Sequence, residues 1–220
     1  MRYRLVIGNK NISSWSLRPW LALRQSNIPF EELKIELRRR DTQANILAYS
    51  PSGRVPTLLV GDLAIWDSLA ILEYLAEVHP EARLWPAPQT ARALARATCA
   101  EMHAGFAALR EHCPMDFVAR LPMATLPDPV ALEVRRILAL WRDCRCRHGG
   151  AGPFLFGAFS AADAMYALDA LWGRRDRYGL HRGPLRSPGH AGVGGSRAPG
   201  SCRRAAPRRG PFAKARLTDC

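Results

Sequence analysis

The sequence predicts a mixed α/β domain over residues 1–80 followed by an all-helical domain, and three observations predict it. Short apolar runs alternate with stretches of helical period up to His79; three prolines fall within Pro80–Gln89 with no clear period, which marks 81–89 as a linker; and residues 90–171 show helical periods only. The last part, 172–220, is rich in Gly, Pro and Arg and has little apolar period, so it reads as a basic, disordered tail that leaves the helical domain truncated.

Each element has its own reason. Tyr3–Ile7 is a short apolar run typical of a buried strand, Gly8–Ser14 is a polar loop, and Leu17, Trp20 and Leu21 recur at helical spacing. Ser16 is the expected N-cap, which places Pro19 in the first turn, where its missing N–H is not needed. After a break at Asn27–Pro29, Phe30–Leu37 alternates as a second strand, and 41–49 suits a short helix. Thr57–Val60 and Leu63–Trp66 flank Gly61-Asp62, a tight hairpin turn, and Ser68–His79 is a helix whose Leu69, Ile71, Leu72, Leu75 and Val78 form one apolar face. The resulting order, βαβαββα, is the thioredoxin-like arrangement. Beyond the linker, Leu94, Met102, Phe106 and Leu109 mark one long helix. Val130, Val134, Ile137, Leu138 and Trp141 mark another, entered through Pro127 and Pro129 and stopped by Gly149 and Gly150; a third begins at Ser160.

Composition narrows the function classes. With 220 residues, 48% of them hydrophobic, the chain can bury a core for one long or two short domains. Neither a signal peptide at Met1–Gly8 nor an apolar run near the roughly 18 residues of a membrane span is visible, so a cytoplasmic location without membrane attachment is expected. Net charge is +13, but residues 168–220 hold 12 Lys or Arg against 3 Asp or Glu, leaving 20 against 16 for the rest. The basic excess therefore belongs to the tail, and nucleic acid is not the expected partner of the globular part. The six cysteines form no pair of CxxC motifs and are expected to be reduced. A helix would spread Cys144, Cys146 and His148 around its circumference, so no metal site is expected there.

Three stretches carry chemistry. The loop Asn11-Ile12-Ser13-Ser14-Trp15-Ser16-Leu17-Arg18 puts hydroxyls at the positive end of the first helix, where a thiolate would be stabilised; alone, it reads more readily as helix capping. Ser50-Pro51-Ser52-Gly53-Arg54-Val55-Pro56-Thr57 runs into a strand. A cis bond before Pro56 would turn the Val55 backbone outward to pair with an extended peptide; an ordinary trans turn suits the stretch as well. Asp67-Ser68 opens the third helix, where the helix end favours a carboxylate and the Asp67 side chain an ammonium; capping is the plainer alternative.

Taken together, at this spacing and in this strand order, the three stretches resemble the glutathione site of the glutathione transferase family. Ser-Ser-x-Ser followed by Arg is similar to the zeta class and its bacterial relatives, which use a serine beside the glutathione sulfur. Here the candidates are Ser13 and Ser14, and the spacing of Ser14 to Arg18 matches that of the serine-type members. By this resemblance Val55 would hold the cysteinyl backbone, Pro56 would be cis, Asp67 and Ser68 would hold the γ-glutamyl head, and Arg54 would lie near the glycyl carboxylate. It implies a conjugating enzyme with glutathione as co-substrate, no permanently bound cofactor or metal, a hydrophobic electrophile, a homodimer and a role in detoxification. A maleylacetoacetate-type isomerase, or a binding protein without turnover, is the alternative. The zeta class has a cysteine two residues past its first serine; Trp15 stands there in this chain.

Gly157-Ala158-Phe159-Ser160-Ala161-Ala162-Asp163 resembles the family's capping motif, with Ser160 and Asp163 in structural roles. The second substrate is expected beside Met102, His103 and Phe106, with His103 either an acid-base group or a packing residue, while Glu101 could equally approach a neighbouring subunit. After Ala167 the helical text expected of the family is missing. His190–Arg197, given suitable codons, reads one base later as a helix-like segment, so a shifted reading frame is one expectation for the tail, and salt-sensitive binding to nucleic acid or anionic lipid through its arginines is the other.

Overall fold

The computed structural model of the protein describes residues 2–116, 118 and 125–167. A four-stranded sheet of order β2-β1-β3-β4 forms the N-terminal part, from β1 (Tyr3–Ile7), β2 (Phe30–Lys34), β3 (Thr57–Val60) and β4 (Leu63–Trp66). β1 runs parallel to β2 and antiparallel to β3, and β3 is antiparallel to β4. Interleaved are α1 (Ser14–Gln25), α2 (Thr42–Leu47) and α3 (Ser68–Val78). This is the expected βαβαββα order, with β2 ending at Lys34 rather than Leu37.

Strand side chains alternate between the faces of the sheet, so each strand serves two layers. Tyr3, Leu5, Ile7 and Leu58 pack with Ala22 and Leu23 of α1 and Ile71, Leu72 and Leu75 of α3. Val6 and Leu59 point to the other face, where Ile35 and Ile46 of α2 close a smaller core. Gly61 turns the β3–β4 hairpin at φ +59°, a conformation open to glycine at little cost.

Four helices follow: α4 (Gln89–Ala104), α5 (Ala107–His112), α6 (Asp128–Cys144), which runs on through a π turn at Arg145–Gly149, and α7 (Ala161–Met165). The larger core continues from the sheet through Cys99, Met102, Val130, Ile137 and Met165, so the α/β layer and the helices bury one contiguous apolar interior. Among the described residues no helix is long and apolar enough to cross a membrane.

The structure corrects three local expectations. α1 starts at Ser14 with Ser13 in the cap position, not at Ser16, because the Asn9 carbonyl accepts from both Ile12 and Ser13 N–H and turns the chain early. Pro19 therefore lies inside the helix, in its second turn. The single long helix expected over 94–109 is two: Gly105 is extended and Phe106 left-handed, which sends the Phe106 ring to Tyr166, 6.5 Å between centroids. Val78 is exposed, since α3 ends there and its buried face stops at Leu75. Cys99, Cys113 and Cys144 are free and buried. The tail expectations for 168–220, including the shifted frame and the basic binding surface, lie outside the described residues.

Candidate functional site

The three sequence stretches converge on one cavity of about 910 Å³, within the size range of small-molecule sites. Ser13, Ser14 and Trp15 enter it from the start of α1, Arg54, Val55 and Pro56 from the loop before β3, and Asp67 and Ser68 from the start of α3. The wall opposite is helical: His103 from α4, Arg110 from α5, then Cys113, Pro114 and Met115. All six candidate binding and catalytic residues therefore share a cavity with Pro56, although 55 positions separate Ser13 from Ser68.

At the first stretch the two serines differ. Ser13 is buried and its hydroxyl donates to Ser16 Oγ at 2.8 Å, while Ser16 Oγ also accepts from the Gly8 N–H at 3.1 Å. Ser16 thus pins the end of β1 to α1, and the Ser13 proton points inward. Ser14 is half-buried, faces the cavity, and its hydroxyl makes no hydrogen bond among the described residues. The first backbone N–H of α1 to reach back is that of Leu17, to Ser13 O at 3.2 Å. The N–H groups of Ser14, Trp15 and Ser16 therefore lie outside the helical ladder, at the end that favours an anion.

At the second stretch the Val55–Pro56 bond is cis. Pro56 is buried, Val55 is half-buried and Arg54 is exposed at the rim, its carbonyl accepting from Thr57 Oγ1 at 3.2 Å. At the third, Asp67 has φ +78°, outside the usual range for a side-chain-bearing residue, and such strain costs about 1–3 kcal/mol and collects at ligand sites. Its Oδ1 accepts from Leu69 N–H at 2.8 Å, capping α3, and its Oδ2 lies 2.6 Å from His103 Nε2. Burial pushes the Asp67 carboxyl up, but the His103 and Leu69 hydrogen bonds outweigh it and hold it below the usual range. Ser68 Oγ is fully buried and has no hydrogen-bond partner in the structure. An unsatisfied buried hydroxyl is uncommon and costs about 1–3 kcal/mol, so its place at a cavity wall is informative.

Sequence reasoning placed Trp15 only as a departure from a pattern. Here its ring is a hub: the Arg18 guanidinium lies 3.9 Å and that of Arg110 4.9 Å from the ring centroid, and His103 meets it edge-on at 5.4 Å. Arg18 is itself buried and donates from Nε to the Met165 carbonyl at 3.1 Å, so α7 supports the cavity floor through α1. Arg110 and Cys113 were not singled out; the seven-residue spacing from His103 to Arg110 was the available signal, and Gly105 breaks the helix that would have carried it. Burial pushes the Cys113 thiol up to about 11. Glu101 forms a two-pronged pair with Arg136 of α6 at 2.6 and 2.7 Å, because α6 packs against its face of α4.

Ser160 and Asp163 form a capping box at α7, Asp163 Oδ2 accepting from Ser160 N–H at 2.9 Å and Ser160 Oγ at 2.7 Å. Neither lines the cavity. Among the described residues no group of His, Cys, Asp and Glu is placed to hold a metal ion. In the Cys144–His148 turn, Cys144 packs inward on Thr98 and His148 stacks on Phe156.

Residues 12–78 match the family model for the glutathione S-transferase N-terminal domain. Over 84 residues the chain is 38% identical to a probable maleylacetoacetate isomerase of Caenorhabditis elegans, and over 85 residues 38% identical to glutathione S-transferase 1 of Dianthus caryophyllus. Each match takes in 38% of this chain and 38% of the length of the relative. In fold the chain resembles a glutathione transferase homolog from Burkholderia BGR1 solved with bound glutathione, with TM-score 0.57 and 24% identity over 76% of this chain and 78% of that one. A glutathione transferase from Methylococcus capsulatus gives TM-score 0.57 at 23% identity, over 77% and 81%.

Proposed function

We propose, for a chain whose residues 12–78 place it in the glutathione S-transferase family, that the cavity binds glutathione and directs its sulfur at an electrophilic carbon. The observation that carries this reading is the convergence of three distant stretches on one cavity, with the free Ser14 hydroxyl at the N-terminal end of α1. The tripeptide lies with its sulfur at Ser14, its cysteinyl backbone along Val55, its glycyl carboxylate toward Arg54 and its γ-glutamyl head at Asp67 and Ser68. Asp67 takes the ammonium, and the Ser68 hydroxyl with the first turn of α3 takes the carboxylate.

The chemistry asks little of the serine. A free thiol titrates near 8.5, and a hydroxyl donor plus a helix N-terminus lowers it by roughly two units, about 2.7 kcal/mol in favour of the anion. The thiol proton leaves to solvent, Ser14 donates to the thiolate, and the sulfur bonds to the electrophilic carbon as a leaving group departs with its bonding pair or, at an activated double bond, as the displaced π pair takes a proton from solvent. That second substrate lies between the helical wall and the start of α1, where Met115, Pro114 and the Trp15 ring offer apolar surface. Domain limits of 1–80 and 90–171 with a linker between, a homodimer, a cytoplasmic location and a part in detoxification belong to the same reading.

An isomerase of the maleylacetoacetate type is the second reading, supported by the name of the nematode relative and by the Ser13-Ser14 pair. Retention on immobilised glutathione, conjugation of a model electrophile and isomerisation of maleylacetoacetate separate the readings. A transferase conjugates, and Ser14→Ala lowers its turnover by at least about tenfold, the loss matching about 1.4 kcal/mol, while retention persists. Isomerisation without conjugation selects the second reading, and retention without turnover in wild type and variant selects a binding protein. No retention at all refutes the glutathione site.

A further inference from the structure

The Asp67 carboxylate, which the proposed function assigns to an ammonium, already has a partner in the helical wall. His103 Nε2 lies 2.6 Å from Asp67 Oδ2, and the imidazole is fixed from its other side by the edge-on Trp15 ring. Both side chains are partly exposed to the cavity, at 34% for His103 and 42% for Asp67. Two partners are thus in place on the carboxylate, Leu69 N–H on Oδ1 and His103 on Oδ2. An ionised carboxylate has about four acceptor positions, so it can hold both and still receive an ammonium.

We infer that His103 is a positioning residue that sets the affinity of this subsite for cationic head groups through its own protonation, so that protons and the ligand ammonium bind antagonistically. The inference rests on the glutathione reading. With His103 neutral, Nε2–H still orients Asp67 and the pair carries one negative charge, which attracts an ammonium. With His103 protonated the pair is neutral overall and the attraction is cancelled, although the hydrogen bond remains. Lower pH favours the protonated form and so weakens the subsite.

Among the described residues no other group near His103 reproduces this. From α3 there is Asp67, held below the usual carboxylate range and so ionised throughout. From α5, Arg110 donates to the His103 carbonyl at 3.4 Å, and from α1, Arg18 lies on the Trp15 ring; guanidinium stays charged at every relevant pH. Cys113, on the same wall, is neutral there because burial raises its thiol.

The test uses the full chain and S-methylglutathione, whose blocked sulfur removes thiol ionisation from the measurement. Calorimetric Kd values are taken at about pH 5.5 and about pH 7.5 for wild type, His103→Gln and His103→Ala. Gln keeps an N–H donor for Asp67 and cannot charge. Wild type should bind about three- to tenfold more weakly at the lower pH, the size expected for cancelling one charge near a partly exposed ammonium site. His103→Gln should show a flat profile near the high-pH wild-type value, whereas His103→Ala should be flat but weaker, because Asp67 loses its orienting partner. An analogue lacking the α-amino group should show no pH dependence with wild type. Equal pH dependence in wild type and His103→Gln would overturn the inference and leave glutathione binding standing. Absence of binding by every protein at both pH values would overturn it together with the glutathione reading, and misfolding of His103→Ala would leave the Gln comparison decisive.

Discussion

Replacing Asp163 by alanine removes the carboxylate that organises the start of α7, and the structure sets the size of the loss. Its oxygens accept from Leu155 N–H at 2.9 Å, Ser160 N–H at 2.9 Å and Ser160 Oγ at 2.7 Å. The serine hydroxyl can turn to another acceptor, but the two backbone donors cannot. Each hydrogen bond to a charged group is worth about 1.5–3 kcal/mol, which gives roughly 3–6 kcal/mol before any offset. The offset is the burial of the carboxylate, the main influence on this group, which raises its ionisation above the usual range despite the hydrogen bonds. Relief of that cost brings the expected loss to about 2–4 kcal/mol. For a chain of this size that corresponds to a fall in melting temperature of about 4–16 °C. Asp163→Asn keeps one acceptor oxygen without a charge to bury and should lose about 1–2 kcal/mol. Because Met165 of α7 accepts from the buried Arg18, which lies on Trp15, the alanine variant should also bind glutathione more weakly. Urea and thermal unfolding by circular dichroism measure the first effect. A loss below about 1 kcal/mol for the alanine variant would refute the capping-box energetics.

Three further outcomes are expected. Glu32 joins the loop, α1 and β2 through Lys10, Trp20 and Arg24; burial raises its carboxyl, but these hydrogen bonds dominate and bring it down to about 2. Its folded value is below its unfolded one, so its contribution is present above the unfolded value near 4.5 and is lost as pH falls toward about 2. Wild type should therefore melt above Glu32→Gln at neutral pH, with the gap closing across that acid window; a constant gap would contradict the assignment. A Cβ on Gly105 would come within 2.8 Å of the Glu101 carbonyl, so Gly105→Ala should cost about 1–3 kcal/mol in urea unfolding. Ser13→Ala, by breaking the bond to Ser16, should lower stability by about 1 kcal/mol yet spare turnover relative to Ser14→Ala; the reverse ranking in a conjugation assay would move the sulfur to Ser13.

Much of the fold was legible because local rules agree with the tertiary outcome. The runs at Tyr3–Ile7 and Thr57–Val60 are apolar on both faces because β1 and β3 are the inner strands, covered on both sides. Gly61-Asp62 states its hairpin in two residues, and the Ser160–Asp163 spacing states a cap. The misreadings occur where a long-range contact overrides local preference. Ser16 looks like a cap by residue type, but its hydroxyl is claimed by Gly8 and Ser13. Phe106 continues a helical period, yet Gly105 interrupts it and the ring follows the aromatic cluster around Tyr166. Periodicity records which residues are apolar and is silent on where the backbone bends.

Taken alone, the sequence determined the order of strands and helices along the chain, the three stretches able to meet a peptide, and the change in character after Ala167. These follow from short-range chemistry: alternation, turn residues and spacing. Only the tertiary structure decided which serine keeps a free hydroxyl, that Asp67 is met by His103, and that Trp15 lies between two guanidinium groups. Each of these depends on side chains brought together across tens of residues, with orientations that burial and competing hydrogen-bond partners select and that spacing along the chain does not encode.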